Sequence, residues 1–217
     1  MGLNKSTLSE QIYQILRNDI LTQKIPCGEK LTLKVLQERF QVSSTPIREA
    51  LTRLTQDQLV SYYSNVGVRV ISFTADDLRE IYTFMGDLDG WRSVMLLPLR
   101  IRKIAVRGHR DSGKECAAAK AADVQTWNRY SDEFHLVFYR YCNNSRLAES
   151  AERLRSGISI FSNQYCRETV IQTRIDEEHL AIFQAYKDGD IEKAVQMMKT
   201  HLNDSLNYAL RFLPKTF

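Results

Sequence analysis

The feature that most restricts the fold lies between Leu33 and Ile71. Two short amphipathic helices are predicted there, about Leu33–Phe40 and from Ser43 or Ser44 to about Asp57, joined by the three-residue turn Gln41-Val42-Ser43. Leu33, Leu36 and Phe40 fall on one face of the first, and Ile47, Leu51 and Leu54 on one face of the second. Pro46 stands in the second helix's first turn, where its missing N–H removes no hydrogen bond. Two short strand patterns follow, Leu59–Tyr63 and Val66–Ile71, turned by Ser64-Asn65. An earlier helix begins at the T-x-x-E capping box of Thr7 and Glu10 and places Ile12, Ile15, Leu16, Asp19 and Ile20 along one stripe. The order helix, helix, turn, helix, strand, strand is that of a winged helix-turn-helix. In this motif the second helix of the pair enters the major groove of double-stranded DNA by its N-terminal end.

That end offers Ser44, Thr45 and Arg48, with Arg53 a turn further on. An arginine can fork onto guanine O6 and N7, and the hydroxyls suit phosphate or a single base edge. Lys34 and the wing residues Asn65 and Arg69 are candidates for the backbone or minor groove. Charge supports a polyanion at this end. The net charge of +4 is mild, but residues 1–72 hold three of those positive charges and the remaining 145 residues one. A three-helix head can also serve as a protein-interaction module, so pattern alone leaves both readings open.

From Thr74, where T-x-x-D again marks a helix start, the pattern is helical to the end. Helices are predicted near 74–98, 113–142, 145–168, 171–188 and 190–212, with Gly189 separating the last two and Asp190 capping the second. The expected division is a DNA-binding domain over 1–72 and an all-α antiparallel bundle over 73–217, giving a mainly α protein with a small two-stranded wing. Segment 98–114, with Arg100, Arg102, Lys103, Arg107 and Arg110, reads as a solvated basic face. The absence of a run of about 18 apolar residues argues against a membrane span. No apolar stretch follows Met1–Thr7, so no signal peptide is expected. Cys27, Cys116, Cys142 and Cys166 form no CxxC pair and read as reduced thiols of a cytoplasmic protein.

Three of the four histidines lie on apolar helical stripes: His135 with Phe138 and Cys142, His179 with Ile182 and Tyr186, and His201 with Ala194, Met197 and Tyr208. His109, in a polar stretch, reads as exposed. One such histidine alone would be a satisfied core residue. Three on neighbouring helices can instead aim imidazoles at a shared centre, as bundles do when they hold metals. Neutral imidazole suits Zn, Ni, Cu or Fe, and three ligands leave a position for water or a substrate oxygen.

The run Leu36 to Leu54, with Val42-Ser43-Ser44-Thr45-Pro46-Ile47-Arg48-Glu49-Ala50-Leu51, resembles the signature of the GntR family of bacterial transcription regulators. Two positions depart from that family's pattern: Ser44 replaces an arginine, and Gln58 replaces a glycine. The stretches Asp132-Glu133-Phe134-His135, Glu177-Glu178-His179 with Lys187-Asp188-Gly189-Asp190, and Thr200-His201-Leu202 resemble the C-terminal ligand-binding domain of the family's FadR-like branch. That resemblance implies a divalent metal, Zn or Ni first, held by three histidines and an aspartate, with a small organic acid bound against it. It carries over to His135, His179 and His201. The aspartate's usual place, four residues before the first histidine, is Ser131. Asp132, at i and i+3 with His135, is the expected substitute, and Ser131 with Arg92 are the effector-binding candidates. Arg92 stands two turns beyond Met85, which occupies the place of an arginine in that branch.

The leading expectation is a homodimeric regulator that reads a near-palindromic operator under control of an organic-acid effector. A metal-free regulator that binds its effector directly through the histidines is the alternative. A metal-dependent hydrolase using Glu133, Glu177 or Glu178 as base is a third reading, set against the plainer one of solvated helix-face acids. No nucleophile motif or Gly-rich phosphate loop supports that third reading.

Overall fold

A computed structural model describes residues 7–63, 67–95, 124–140 and 144–213, except the side chains of 89–95, 125 and 140. The described chain forms two compact units, one reaching Phe73 and including Ser156–Ile160, the other holding the rest from Thr74 onward.

In the first unit α1 (Leu8–Leu21), α2 (Leu33–Phe40) and α3 (Ser44–Gln56) surround a core of Leu16, Ile20, Ile47, Ala50 and Leu54, none of them measurably exposed. The Thr7 hydroxyl accepts the Glu10 N–H at 3.2 Å, so the capping box starts α1 as the spacing requires. Asp19, on the predicted apolar stripe, is buried; its charge is compensated by Arg39 and, at 3.8 Å, by Lys24. Ile15 faces outward instead, 43% exposed. The wing is a three-stranded antiparallel sheet in the order β1 (Lys30–Leu31), β3 (Gly67–Val70), β2 (Val60–Tyr63). The extra strand β1 is two residues long, too short for alternation to reveal it. It exists because Gly28 and Glu29 exchange backbone hydrogen bonds of 3.1 and 2.9 Å with Val70. Residues 64–66 of the predicted turn lie outside the described residues.

From Thr74 onward the described chain is built of helices: α4 (Ala75–Met95), α5 (Val124–Arg140), α6 (Ser145–Tyr165), α7 (Thr169–Asp188) and α8 (Ile191–Leu210). Thr74 and Asp77 cap α4 reciprocally, with the Asp77 N–H on the Thr74 hydroxyl at 3.1 Å and the Thr74 N–H on the carboxylate at 2.7 Å. Gly189 takes φ 82° and ends α7, and Asp190 accepts the Lys193 N–H at 3.1 Å to open α8. That one-glycine reversal lays α8 back along α7, and α4 packs along α8. Trp127, Phe134, Phe138, Phe183 and Tyr186 fill the centre. The Trp127 N–H reaches Asp176 at 2.9 Å, satisfying a buried carboxylate. The mainly α architecture with a winged helix-turn-helix is the one the periodicity predicts. The basic segment 98–114 lies outside the described residues.

Candidate nucleic-acid and ligand sites

The turn between α2 and α3 depends on Gln41, whose left-handed φ of 54° lets its N–H close on Gln37 at 2.8 Å. Ser43 is the N-cap of α3 by backbone geometry, but its hydroxyl makes no cap hydrogen bond, so the helix start keeps N–H groups for an outside acceptor. Thr45 and Arg48 are exposed at that start and Ser44 is half-buried. Arg48 and, on α2, the exposed Lys34 make no ion pair among the described residues.

Two expected DNA contacts are engaged elsewhere. Arg53 turns onto α1, where it pairs with Glu10 and its guanidinium lies 4.0 Å from the centre of the Tyr13 ring. Its hydrogen bond to Glu10 raises its pKa, and the structure uses it to tie α3 to α1. Arg69 donates from Nη1 to the Gly28 carbonyl at 2.8 Å and so braces the edge of the wing. Asn65 lies outside the described residues.

In the bundle, α5, α7 and α8 each contribute one buried histidine. Nε2 of His201 lies 3.3 Å from Nε2 of His179 and 3.3 Å from Nε2 of His135, and one ligating atom from each falls within 4.8 Å of the others. Two imidazole nitrogens on one zinc, at about 2.0–2.1 Å and a tetrahedral angle, stand about 3.3–3.4 Å apart. The donor set and its spacing therefore fit such an ion. Phe134 stacks on the His179 ring with centroids 3.6 Å apart and planes 8° from parallel, which fixes that imidazole. Burial, aided by the charges of His201 and Arg155, holds His179 well below the usual histidine pKa, so it is neutral and able to ligate.

Glu178 supplies what a single-helix pattern hides. Its Oε2 lies 2.7 Å from Nδ1 of His201, and its Oε1 accepts Arg174 Nε at 2.9 Å, while Arg174 also pairs with Asp204. Burial pushes the Glu178 carboxyl up, but the hydrogen bonds and charges of His201 and Arg174 outweigh it and hold the pKa below its ordinary value. A carboxylate can only accept, so Nδ1–H donates to it and Nε2 is the nitrogen that faces the other two rings. Glu178 adjoins His179 in sequence yet serves the histidine of the next helix, so spacing within α7 gave no signal for it.

Asp132, expected as fourth ligand, does not join this group. Its Oδ1 accepts Arg155 Nη2 at 3.0 Å, because one residue of offset on α5 swings it about 100° from Ser131 towards α6. Ser131 is half-buried on α5, and Met85 is fully buried on α4. Arg92 belongs to α4, and its side chain lies outside the described residues.

A winged helix-turn-helix with an open reading helix, followed by an all-helical domain with polar groups buried at its centre, defines the class of DNA-binding regulators that carry a ligand-binding domain. Comparison with known families makes this specific. Residues 8–70 match the gntR family of bacterial regulatory proteins, and residues 105–204 match the FCD domain. The chain belongs to the GntR family of transcription regulators, with an FCD effector-binding domain behind its DNA-binding head. It is 25% identical over 202 residues to the HTH-type transcriptional repressor GlaR of Escherichia coli, spanning 88% of this chain and 90% of that protein. To the repressor RspR of the same organism it is 20% identical over 197 residues, 91% of this chain and 86% of that one. A GntR-type regulator from Rhodococcus sp. RHA1 has the same fold, with a TM-score of 0.73 at 20% identity over 95% of this chain and 99% of that one. E. coli McbR/YncC superposes equally well, with a TM-score of 0.73 at 19% identity over 95% and 99%. GlaR and RspR are HTH-type transcriptional repressors, and this chain is a transcription regulator of the same family. No described helix is long and apolar enough to cross a membrane.

Proposed function

We propose that the chain works in the cytoplasm as a homodimer in which two heads, each residues 1–72, read a near-palindromic operator under control of an organic acid bound in residues 73–217. Each α3 would enter the major groove with Arg48 on a base edge and Ser44, Thr45 and Lys34 on phosphates. The observation that supports effector control is the meeting of three buried imidazoles at 3.3 Å with Glu178 behind one of them. His135, His179 and His201 would hold a divalent metal, Zn or Ni. Once bound, the metal would offer a coordination position to a carboxylate oxygen. Ser131, one turn before His135, and Arg92 remain the candidates for contact with the rest of the acid. The acid changes operator affinity to the extent that it binds one arrangement of the dimer more tightly than the other.

Elemental analysis of tag-free protein purified without chelator, beside His179→Ala, tests the centre of this reading. About one metal per chain in the wild type, lost in the variant, is the expected result. Wild-type protein that takes up neither Zn nor Ni would leave the metal-free alternative, in which the engagement of Asp132 with Arg155 has left three histidines to bind the effector by hydrogen bonds.

A further inference from the structure

Arg155 is the most deeply buried charge on α6, only 8% exposed. Its Nη2 donates to Asp132, but its Nε is sealed from solvent and meets no acceptor among the described residues. A guanidinium rarely gives up water at one of its donors without an acceptor in exchange. Its surroundings are polar as well. Its charge reaches His179 of the triple-histidine group and the hydroxyls of Tyr82 and Tyr165. The Tyr82 hydroxyl lies close to that of Tyr165. Tyr82 also lines a cavity of about 190 Å³ between α4 and α8, bounded by Gly86, Lys199 and Leu202 among others. Asp132 is one-third exposed and touches the guanidinium through one oxygen, so it fixes the arginine without using its full donor set.

We propose that Arg155 anchors the oxyanionic group of the effector, a carboxylate or a phosphate, through the buried Nε–H that meets no acceptor among the described residues, and that Asp132 is the positioning residue that holds the guanidinium for it. The proposal rests on reading the bundle as the effector site. It gives Asp132 a role different from the metal ligation expected from sequence. An anion at Arg155 would sit beside the histidines, where one end of a small acid is held by the arginine while the other faces the imidazoles. A neutral molecule of the same shape would leave Nε unpaired and bind poorly.

Calorimetric titration of the full-length protein, with zinc and without it, separates the possibilities. The probes are acetate, succinate, citrate, inorganic phosphate and the uncharged diamide of succinic acid. At least one anion should bind the wild type and the diamide should not. Arg155→Lys keeps the charge and the partner Asp132 but lacks Nε, so it should weaken that anion at least tenfold while retaining the helical circular dichroism and the zinc stoichiometry of the wild type. Whether a carboxylate or phosphate is the anion affected identifies the source of the oxyanion. Equal affinity in wild type and Arg155→Lys, or no anion bound by the wild type, overturns the proposal. Should lysine not be tolerated, Asp132→Asn/Arg155→Met removes both charges together and must show the same loss. Arg155-dependent anion binding in a protein that takes up no zinc would sink the metal reading and leave this one standing.

Discussion

Glu178 and His201, on adjacent helices and 23 residues apart, meet at 2.7 Å between Oε2 and Nδ1. The contact fixes which ring nitrogen of His201 carries its proton, and that nitrogen points away from the other two histidines. Replacing Glu178 by Gln offers the ring an amide in place of a charge. Substitutions behind a metal-bound histidine typically cost about 10–100-fold in affinity. Glu178→Gln should weaken zinc by that order, measured by competition with a chromophoric chelator, with the thermal melt of the metal-free protein little changed. An unaltered zinc affinity would mean that this carboxylate does not tune the site.

At the head, Arg48 and Lys34 should behave differently. Arg48→Ala should cost about 1–3 kcal/mol against the operator and relax discrimination at one base pair, if the guanidinium forks a guanine. Lys34→Ala should weaken all sequences alike and reduce the salt slope by about one. Arg53→Ala should lower the melting temperature of the head, because its charge is spent on Glu10 and Tyr13, and leave the salt slope as it was. A salt series of operator titrations by fluorescence anisotropy distinguishes the three. An Arg53→Ala protein that folds as firmly as the wild type but loses operator specificity would return Arg53 to the reading face.

What the sequence disclosed and what it hid follow one physical division. Amphipathic periodicity and caps act within a helix, so Thr7, Pro46, Thr74, Gly189 and Asp190 announced the helix ends, and the histidines could be assigned to apolar stripes. Contacts between helices carry no such period. Glu178 serving His201, Arg53 folded onto Tyr13 and Asp132 drawn to Arg155 each depend on a neighbour 23 to 40 residues away. The two-residue strand β1 was hidden for the same reason, since its partner is Arg69 and Val68, far along the chain. A residue's face can be read locally, whereas its partner cannot.

Tyr13 gives the head an alkaline limit. Burial first, and then the bond to the Asp57 carboxylate, raise its pKa to about 12 from the ordinary 10. Because the folded value is the higher one, the stabilisation is fully present below pH 10 and is lost as pH rises from 10 towards 12. The hydroxyl's partner Asp57 is half-buried, so solvent screening limits the effect to about 1–2 kcal/mol. Urea titrations at pH 8 and pH 11.5 should show the wild type losing that much, and Tyr13→Phe losing less over the same interval. An equal loss in the two proteins would assign the alkaline sensitivity to other groups.

Gln58 closes α3 with φ 55°, the left-handed region in which a Cβ is strained, and its N–H bonds Thr55 at 3.0 Å while Leu59 returns to Leu54 at 2.9 Å. The conformation is thus imposed by the two backbone hydrogen bonds that turn the chain into β2. Nothing in the side chain requires it, since Gln58 is exposed. Glycine would adopt the same φ without strain, at the expense of a more flexible unfolded chain. Strain at such a position is worth about 1–2 kcal/mol and the entropy lost by glycine about 0.5–1, so Gln58→Gly should stabilise the head by roughly 0.5–1 kcal/mol. Denaturant unfolding of the two proteins side by side measures this directly. Gln58→Ala keeps the Cβ and should gain nothing. A glycine variant no more stable than the alanine one would show that the backbone hydrogen bonds hold this turn without appreciable strain.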